Sequence, residues 1–172
     1  VIISAEAGLL SLKDSDIDVI EVKSLQDVHD AFEYLTGPDG DKYETICVDS
    51  ITEIAEVCLS YQKTLNKAGR IYWTALADEI YGVIRAFSDR KGKNVIFSAK
   101  QFRITDDDTG ITSYNAMMPG KNLVTGLPFF FDEVLYMTMM TDEDGDSYRV
   151  LKTATEFGHD AKDRSGELSA IE

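Results

Sequence analysis

Residues 45–53 read Thr45-Ile46-Cys47-Val48-Asp49-Ser50-Ile51-Thr52-Glu53. A short apolar run closed by an acid and a hydroxyl is the pattern of a strand buried in a parallel sheet. Ser50 with Glu53 three residues on is the signature of a helix N-terminus, and Ile54, Val57, Cys58, Tyr61 and Leu65 continue that helix on one apolar face as far as a stop at Gly69. The same sequence of strand, polar tip and helix recurs outward from this stretch. Upstream, Val1-Ile2-Ile3 is a buried strand followed by Ser4, Ala5 and Glu6, and Asp18 to Val22 is a second short strand. Ser24 and Asp27 then open a capping box before Leu25, Val28, Phe32 and Leu35 at helical spacing, with an end near Gly37-Pro38. Downstream, Trp73, Leu76, Ile80, Val83, Ile84 and Phe87 predict another amphipathic helix; a polar break from Asp89 to Asn94 leads into the strand Val95-Ile96-Phe97.

Beyond Lys100 the alternation stops. Asp106 to Gly110 predicts a hairpin turn, Met117 to Thr125 an irregular loop, and Val134 to Met140 with Tyr148 to Ala154 two antiparallel strands joined by the acidic turn Asp142 to Asp146. His159 to Glu172 is expected to be a polar, mobile tail. The order implies an α/β fold whose sheet begins parallel and ends with antiparallel strands, with no internal repeat and no dividing linker.

With 172 residues the chain suits one domain, and 44% hydrophobic against 28% charged residues with three prolines argues for a packed core rather than disorder. No apolar run approaches the roughly 20 residues of a membrane span, and Val1-Ile2-Ile3-Ser4-Ala5 lacks the basic flank of a signal peptide, so a soluble intracellular protein is expected. The first residue is Val1 rather than Met, which predicts further residues upstream. A net charge of −14 excludes a general nucleic-acid coat, leaving DNA contact to a local basic stripe. Cys47 and Cys58 lie in apolar stretches and are expected to be reduced core thiols.

Ligands of open parallel sheets bind at the carboxyl ends of the strands. Glu6, Asp49 with Ser50, and Lys100 with Gln101 all fall there. An acid directly after a strand suits a hydrated Mg²⁺, a neighbouring Glu suits activation of water, and an amide can sense a terminal phosphate. Each has a plainer reading: Asp49-Ser50 as a helix cap, Glu6 as a solvated loop acid.

Three stretches carry a family resemblance. VIISAEAG at 1–8 resembles the strand and catalytic glutamate of RecA-like recombinases, ICVDSI at 46–51 resembles their Walker B strand, and AKDRSG at 161–166 is similar to the lysine/arginine motif of RadA-type ATPases. The resemblance covers most of the chain and points above all to phage RecA-like ATPases of single-strand annealing. It implies a RecA-like three-layer sandwich, mostly parallel with antiparallel strands at its C-terminal edge, that uses ATP and Mg²⁺ in the host cytoplasm. Under it Glu6 activates water, Asp49 holds Mg²⁺ through its waters, Ser50 lies beside it, and Lys100 or Gln101 reports the γ-phosphate. Lys162 and Arg164 reach a neighbour's ATP, which demands a homo-oligomer, ring or filament. Pro119 to Met137 is similar to the region after the second DNA-binding loop, which places that loop near Arg103 to Met118. The phosphate-cradling GxxxxGK[ST] is missing from residues 1–172: Phe87 and Asn115 stand where its first glycine belongs ahead of Gly92-Lys93 and Gly120-Lys121. Its expected place is upstream of Val1, making 1–172 a single RecA-like core without its P-loop strand and helix.

Between Arg85 and Arg103 six cations stand against the single acid Asp89, and Lys91, Lys93 and Arg103 are the expected contacts to single-stranded DNA. Phe102, Tyr114 and Phe129 to Phe131 offer stacking platforms or, for the phenylalanines, core. Asp106, Asp107 and Asp108 oppose phosphate there. Asp142, Asp144 and Asp146 alternate like Ca²⁺ ligands but fit a hairpin turn better, because Gly145 is misplaced for an EF-hand. His29 and His159 have no partner at zinc spacing. The preferred reading is an ATPase acting on single-stranded DNA. Its rival is a RecA-like assembly module without nucleotide binding; a metal-dependent nuclease or phosphatase using Glu6, Asp49 and Asp106 to Asp108 ranks last.

Overall fold

A computed structural model describes residues 1–6, 8–65 and 71–168; the helix stop expected at Gly69 lies outside them. The chain forms two compact units, one made of Val1–Lys100 with Met117–Val124, the other of Gln101–Ala116 with the chain from Thr125. In order the elements are β1 (Ile2–Ser4), β2 (Val19–Glu21), α1 (Leu25–Thr36), β3 (Thr45–Asp49), α2 (Ile51–Leu65), α3 (Ile71–Ser88), β4 (Asn94–Phe97), β5 (Gln101–Thr105), β6 (Thr112–Ala116), α4 (Lys121–Gly126), β7 (Glu133–Val134), β8 (Tyr136–Thr141), β9 (Ser147–Lys152) and β10 (Lys162–Asp163). Among the described residues no helix is long and apolar enough to cross a membrane.

The first unit is built on a four-stranded, all-parallel sheet in the order β2-β1-β3-β4. Side chains alternate across it, so Ile3, Ile46 and Val48 share one face and are all but completely buried. Helices α1, α2 and α3 pack over that face. Phe87 of α3 meets Phe32 of α1 edge-on at 5.1 Å and Phe97 of β4 at 6.5 Å. The opposite face carries the row Ile2, Cys47 and Ile96, one residue per strand, half-buried to exposed. It is the face on which a sandwich takes its further layer.

Helix α1 starts as its letters require: Ser24 Oγ accepts from the Asp27 amide, and the Asp27 carboxylate accepts from the Ser24 and Lys23 amides. Helix α2 is turned from its expected face. Ile51, Ile54, Ala55, Cys58, Leu59 and Gln62 are buried, whereas Tyr61 and Leu65 face solvent, a rotation that the apolar period alone does not fix. Cys47 and Cys58 are both free thiols; burial pushes the Cys58 thiol up to about 12.

Lys93 is a structural cation rather than part of a free basic stripe. Its ammonium donates to the carbonyls of Gly40, Asp41 and Tyr43 at 3.2, 3.0 and 2.5 Å, clasping the turn before β3 while the Asn94 amide donates to Glu44. At Gly40 a Cβ would stand 2.2 Å from the Leu35 carbonyl, so only glycine lets the chain fold this tightly under the clasp.

The second unit is a set of antiparallel ladders, β5–β6, β8–β9 and β7–β10. Asp106 Oδ1 accepts from the Asp108 and Thr109 amides, and Asp142 Oδ1 from those of Asp144 and Asp146, so the acidic runs serve as the expected turns. Two expectations change. Residues 121–126 form α4, with Leu123 buried, where an irregular loop was expected. The polar tail is tied down as far as 168: Lys162 and Asp163 pair with β7, and the His159 ring lies stacked between Tyr114 and Tyr136 at 4.0 and 4.1 Å. The parallel α/β sheet with flanking helices and antiparallel strands is the expected architecture and is consistent with a RecA-like sandwich.

Replacing Lys93 by Met removes the clasp and lowers unfolding stability by about 1–2 kcal/mol in urea titration, whereas Lys91→Ala, at an exposed turn, stays within about 0.5 kcal/mol. Equal effects of the two changes would show that the clasp contributes nothing.

Candidate functional site

The parallel register sends three chain segments off the same edge of the sheet. Ser4 lies opposite Asp49, and the Ala5 amide donates to the Asp49 carbonyl at 2.8 Å, which carries β1 one residue beyond its formal end and delivers Glu6 beside Ser50. On the other side the Ser98 amide donates to Val48 and the Ile51 amide to Ser98, at 3.0 and 2.9 Å, which ties the exit of β4 to the start of α2. The Asp49–Ser50 peptide is cis.

These backbones gather a compact polar cluster. Ser50 Oγ donates to Glu6 Oε1 at 2.7 Å and accepts the Glu53 amide at 3.4 Å. Lys100 Nζ lies 3.3 Å from the same Glu6 oxygen and pairs more closely with Glu53 Oε1. The Lys100 amide donates to Thr52 Oγ1 at 3.0 Å. Ser98 Oγ donates to Asp49 Oδ1 at 2.5 Å. Ser4, Ser50 and Thr52 are at most 3% exposed, so a buried hydroxyl floor carries the charged groups above it. The Ser50 hydroxyl is the main cause holding the Glu6 carboxyl below its ordinary value of 4.5; partial burial opposes this, and Lys100 adds to it. Glu53, and after it Glu6, raise the Lys100 ammonium above its usual range.

Of the expected site residues, Glu6, Asp49, Ser50 and Lys100 come together here. Gln101 opens β5 in the second unit, where its amide faces His159 Nδ1 at 3.2 Å. Lys162 also lies there, half-buried in β10, and burial and the neighbouring Arg164 guanidinium hold its ammonium below the usual lysine range. Arg164 donates to Asp132 Oδ1 at 3.2 Å and to the Phe129 carbonyl at 3.4 Å. Arg103 is on the β5–β6 hairpin, with a guanidinium N–H to Thr112 Oγ1 at 3.4 Å, and Lys91 is in the exposed turn after α3. Tyr114 stacks on His159, Phe102, Phe130 and Phe131 are half-buried, and Phe129 stands out in solvent.

Glu53, Thr52 and Ser98 were not anticipated as site residues. Ser98 is the first residue past Phe97, so the strand-end rule that selected Asp49 also selects it. Glu53 was accounted for as a cap, which concealed its pairing with Lys100. Among the described residues no three His, Cys, Asp or Glu side chains gather as a metal cluster. One carboxylate, Asp49, with the hydroxyls of Ser98 and Ser50 nearby, is instead a hard-oxygen set of the kind that suits a cation keeping most of its waters, as Mg²⁺ does.

Glu6 titrates below its ordinary value in the fold, so its ionised form contributes stability that is fully present above pH 4.5 and is lost as pH falls through the lowered value. Ser50→Ala removes the largest cause. The Glu6 midpoint, followed by carbon-13 NMR of its carboxyl, then rises toward 4.5 and the acid loss of stability becomes shallower; an unmoved midpoint would mean that the hydroxyl does not hold it.

No curated protein and no solved structure matches the chain. A family model described as an AAA domain matches residues 1–165 and takes in every element above. The chain therefore belongs to the AAA domain family and, with it, to the nucleotide-binding ATPases of P-loop type.

Proposed function

We propose that the protein hydrolyses ATP with Mg²⁺ at interfaces between its own copies and uses the cycle to anneal or exchange single-stranded DNA for a phage or related element, in the host cytoplasm. The observation that carries this reading is the convergence of Glu6, Asp49, Ser50 and Lys100 at the carboxyl edge of the parallel sheet. Family membership supports the use of a nucleotide. Glu6, ionised well below neutral pH, accepts the proton of the attacking water. Asp49 holds the hydrated Mg²⁺, which when bound neutralises charge on the phosphates. Lys100 exchanges its carboxylate partners for the γ-phosphate.

The backbone supports a route from nucleotide to DNA. The Lys100 carbonyl accepts the Met117 amide at 2.6 Å, so both ends of the excursion through β5 and β6 meet at the residue that senses phosphate. Arg103 on that hairpin, together with Lys91, supplies the cationic contacts to DNA; Lys93, committed to its clasp, leaves the set. Lys162 and Arg164 serve a neighbouring copy's phosphates. A lysine whose ammonium is already costly to keep charged gains from an anionic partner.

In the whole protein, Glu6→Gln keeps ATP binding and loses turnover by about 10²–10⁴-fold; undiminished turnover removes Glu6 from the chemistry. Lys162→Ala with Arg164→Ala, mixed with Asp49→Ala subunits, regains part of the activity that neither has alone, and mixed assemblies that regain none argue against a shared site. Affinity for a single-stranded oligonucleotide falls steeply with salt, and less steeply after Arg103→Ala; salt-independent binding points to a different surface.

A further inference from the structure

In the second unit a nitrogen heterocycle fills a slot one aromatic ring thick. The His159 imidazole lies parallel to Tyr114 on one side and Tyr136 on the other, at interplanar angles of 1° and 11° and centroid distances of 4.0 and 4.1 Å. Gln101 reaches its edge, with Nε2 3.2 Å from the ring's Nδ1. Two stacked faces and an amide at a ring nitrogen are the contacts by which proteins hold an unpaired nucleobase. The backbone of the 156–159 loop is fixed independently of the ring: the His159 amide donates to the Glu156 carbonyl at 2.9 Å, and the Tyr114 amide to the Gly158 carbonyl at 2.8 Å.

The surroundings suit a strand of nucleic acid. Arg103 stands directly opposite Tyr114 in the β5–β6 ladder, and opposite residues share a face of the sheet. Among the described residues its guanidinium is held by nothing stronger than the Thr112 hydroxyl, at 3.4 Å. On the other wall Lys152 stands opposite Tyr136 and pairs with Glu156 at 3.1 Å, which neutralises the carboxylate that accepts the Tyr136 hydroxyl. The hairpin's own acids lie at its far turn, where Asp106 is committed to the amides of Asp108 and Thr109.

We propose that the slot between Tyr114 and Tyr136 binds one unpaired base of single-stranded DNA, and that His159 fills it as an internal stand-in until a strand arrives. The proposal rests on the reading of the protein as a single-strand binder. The half-buried His159 side chain turns out about its Cα–Cβ bond while both loop hydrogen bonds stay in place. A base then enters between the rings, and Arg103 meets the phosphate beside it. A base offers a stacking face at least as large as imidazole, so the exchange of rings costs little and the charge-assisted phosphate contact decides it. Because His159 competes for the slot, shortening it strengthens binding; a residue that merely braced the unit would act in the opposite sense.

The test uses the whole protein with excess ATP and Mg²⁺, and a deoxythymidine oligonucleotide carrying one 2-aminopurine, a base whose fluorescence falls when it stacks. The wild type is expected to quench it. His159→Ala is expected to bind about three- to tenfold more tightly, and Tyr114→Leu about tenfold more weakly with most of the quenching gone, at unchanged circular dichroism. In the double variant His159→Ala gives no gain over Tyr114→Leu alone. Weaker binding by a folded His159→Ala overturns the stand-in role, and Tyr114→Leu with wild-type affinity and quenching overturns the slot. Photo-cross-linking of the wild type to an oligonucleotide containing 5-iodouracil needs no variant: links to Tyr114 or Tyr136 support the slot, and links confined to other residues overturn it. Equal quenching of free 2-aminopurine deoxyribonucleotide at the same concentrations overturns the assignment to a strand in favour of a mononucleotide. If neither the wild type nor His159→Ala binds the oligonucleotide, the single-strand reading itself falls and the slot with it, whereas binding indifferent to Tyr114 strikes the slot alone.

Discussion

Ser4 faces Asp49 across two parallel strands, and that pairing, with the pairing of β3 to β4, sets which residues meet in the candidate site. A slip of one residue between them would turn one strand over, either putting Ile2 in the place of Ile3 or putting Cys47 in the place of Ile46 and Val48. Full burial of such a side chain stabilises by about 1.5–3 kcal/mol, whereas an exposed ion pair such as Lys100 with Glu6 is screened by water and contributes far less. The site does not hold the register; the apolar face beneath it does. A few β-branched residues thus place two acids, a serine and a lysine within hydrogen-bonding distance of one another, although none of these polar groups has the energy to assemble the others.

Strand order and strand-end chemistry were legible because a short apolar run followed by a polar residue has few other uses. Thr45 to Ser50 identified the buried strand, its tip and the helix after it, and the Ser24–Asp27 box is present as read. What was not legible depended on contacts between elements. Nothing local distinguishes Ala55 and Gln62 as the packed side of α2 from Tyr61 and Leu65, since period alone leaves the helix free to rotate by part of a turn. Lys93 looks like its basic neighbours until the turn at 40–43 is folded beneath it.

In the second unit the hairpins and acidic turns are as read, but the C-terminal tail departs from expectation for another reason. The unit's ladders are two-stranded, and many apolar side chains on β8 and β9, among them Met137, Met139 and Leu151, remain exposed, so hydrophobic patterning says little about its organisation. Order comes from specific polar and ring contacts. His159 is sandwiched between two tyrosines, Tyr136 donates to Glu156 at 2.8 Å, and the Tyr114 amide donates to Gly158, whose φ of +81° and close approach to Thr112 only glycine allows. A segment with the composition of a mobile tail is fixed by partners between about 20 and 60 residues away, a distance at which sequence periodicity carries no information.

Lys100 joins these two kinds of order. Its side chain belongs to the carboxylate cluster, and its carbonyl closes the base of the β5–β6 hairpin on Met117. A lysine suits such a junction better than an amide would. Its attraction to carboxylates is weak in partial exposure, so a multiply charged phosphate outbids them, while an amide makes one or two directional bonds and gains little by exchanging partners. In the proposed cycle the exchange frees Glu6 from its cation at the moment when water must be deprotonated. The Lys100 ammonium also meets Glu53 on α2, so Glu6 is not its sole counterion, and a phosphate that takes the lysine displaces two weak partners rather than one strong one.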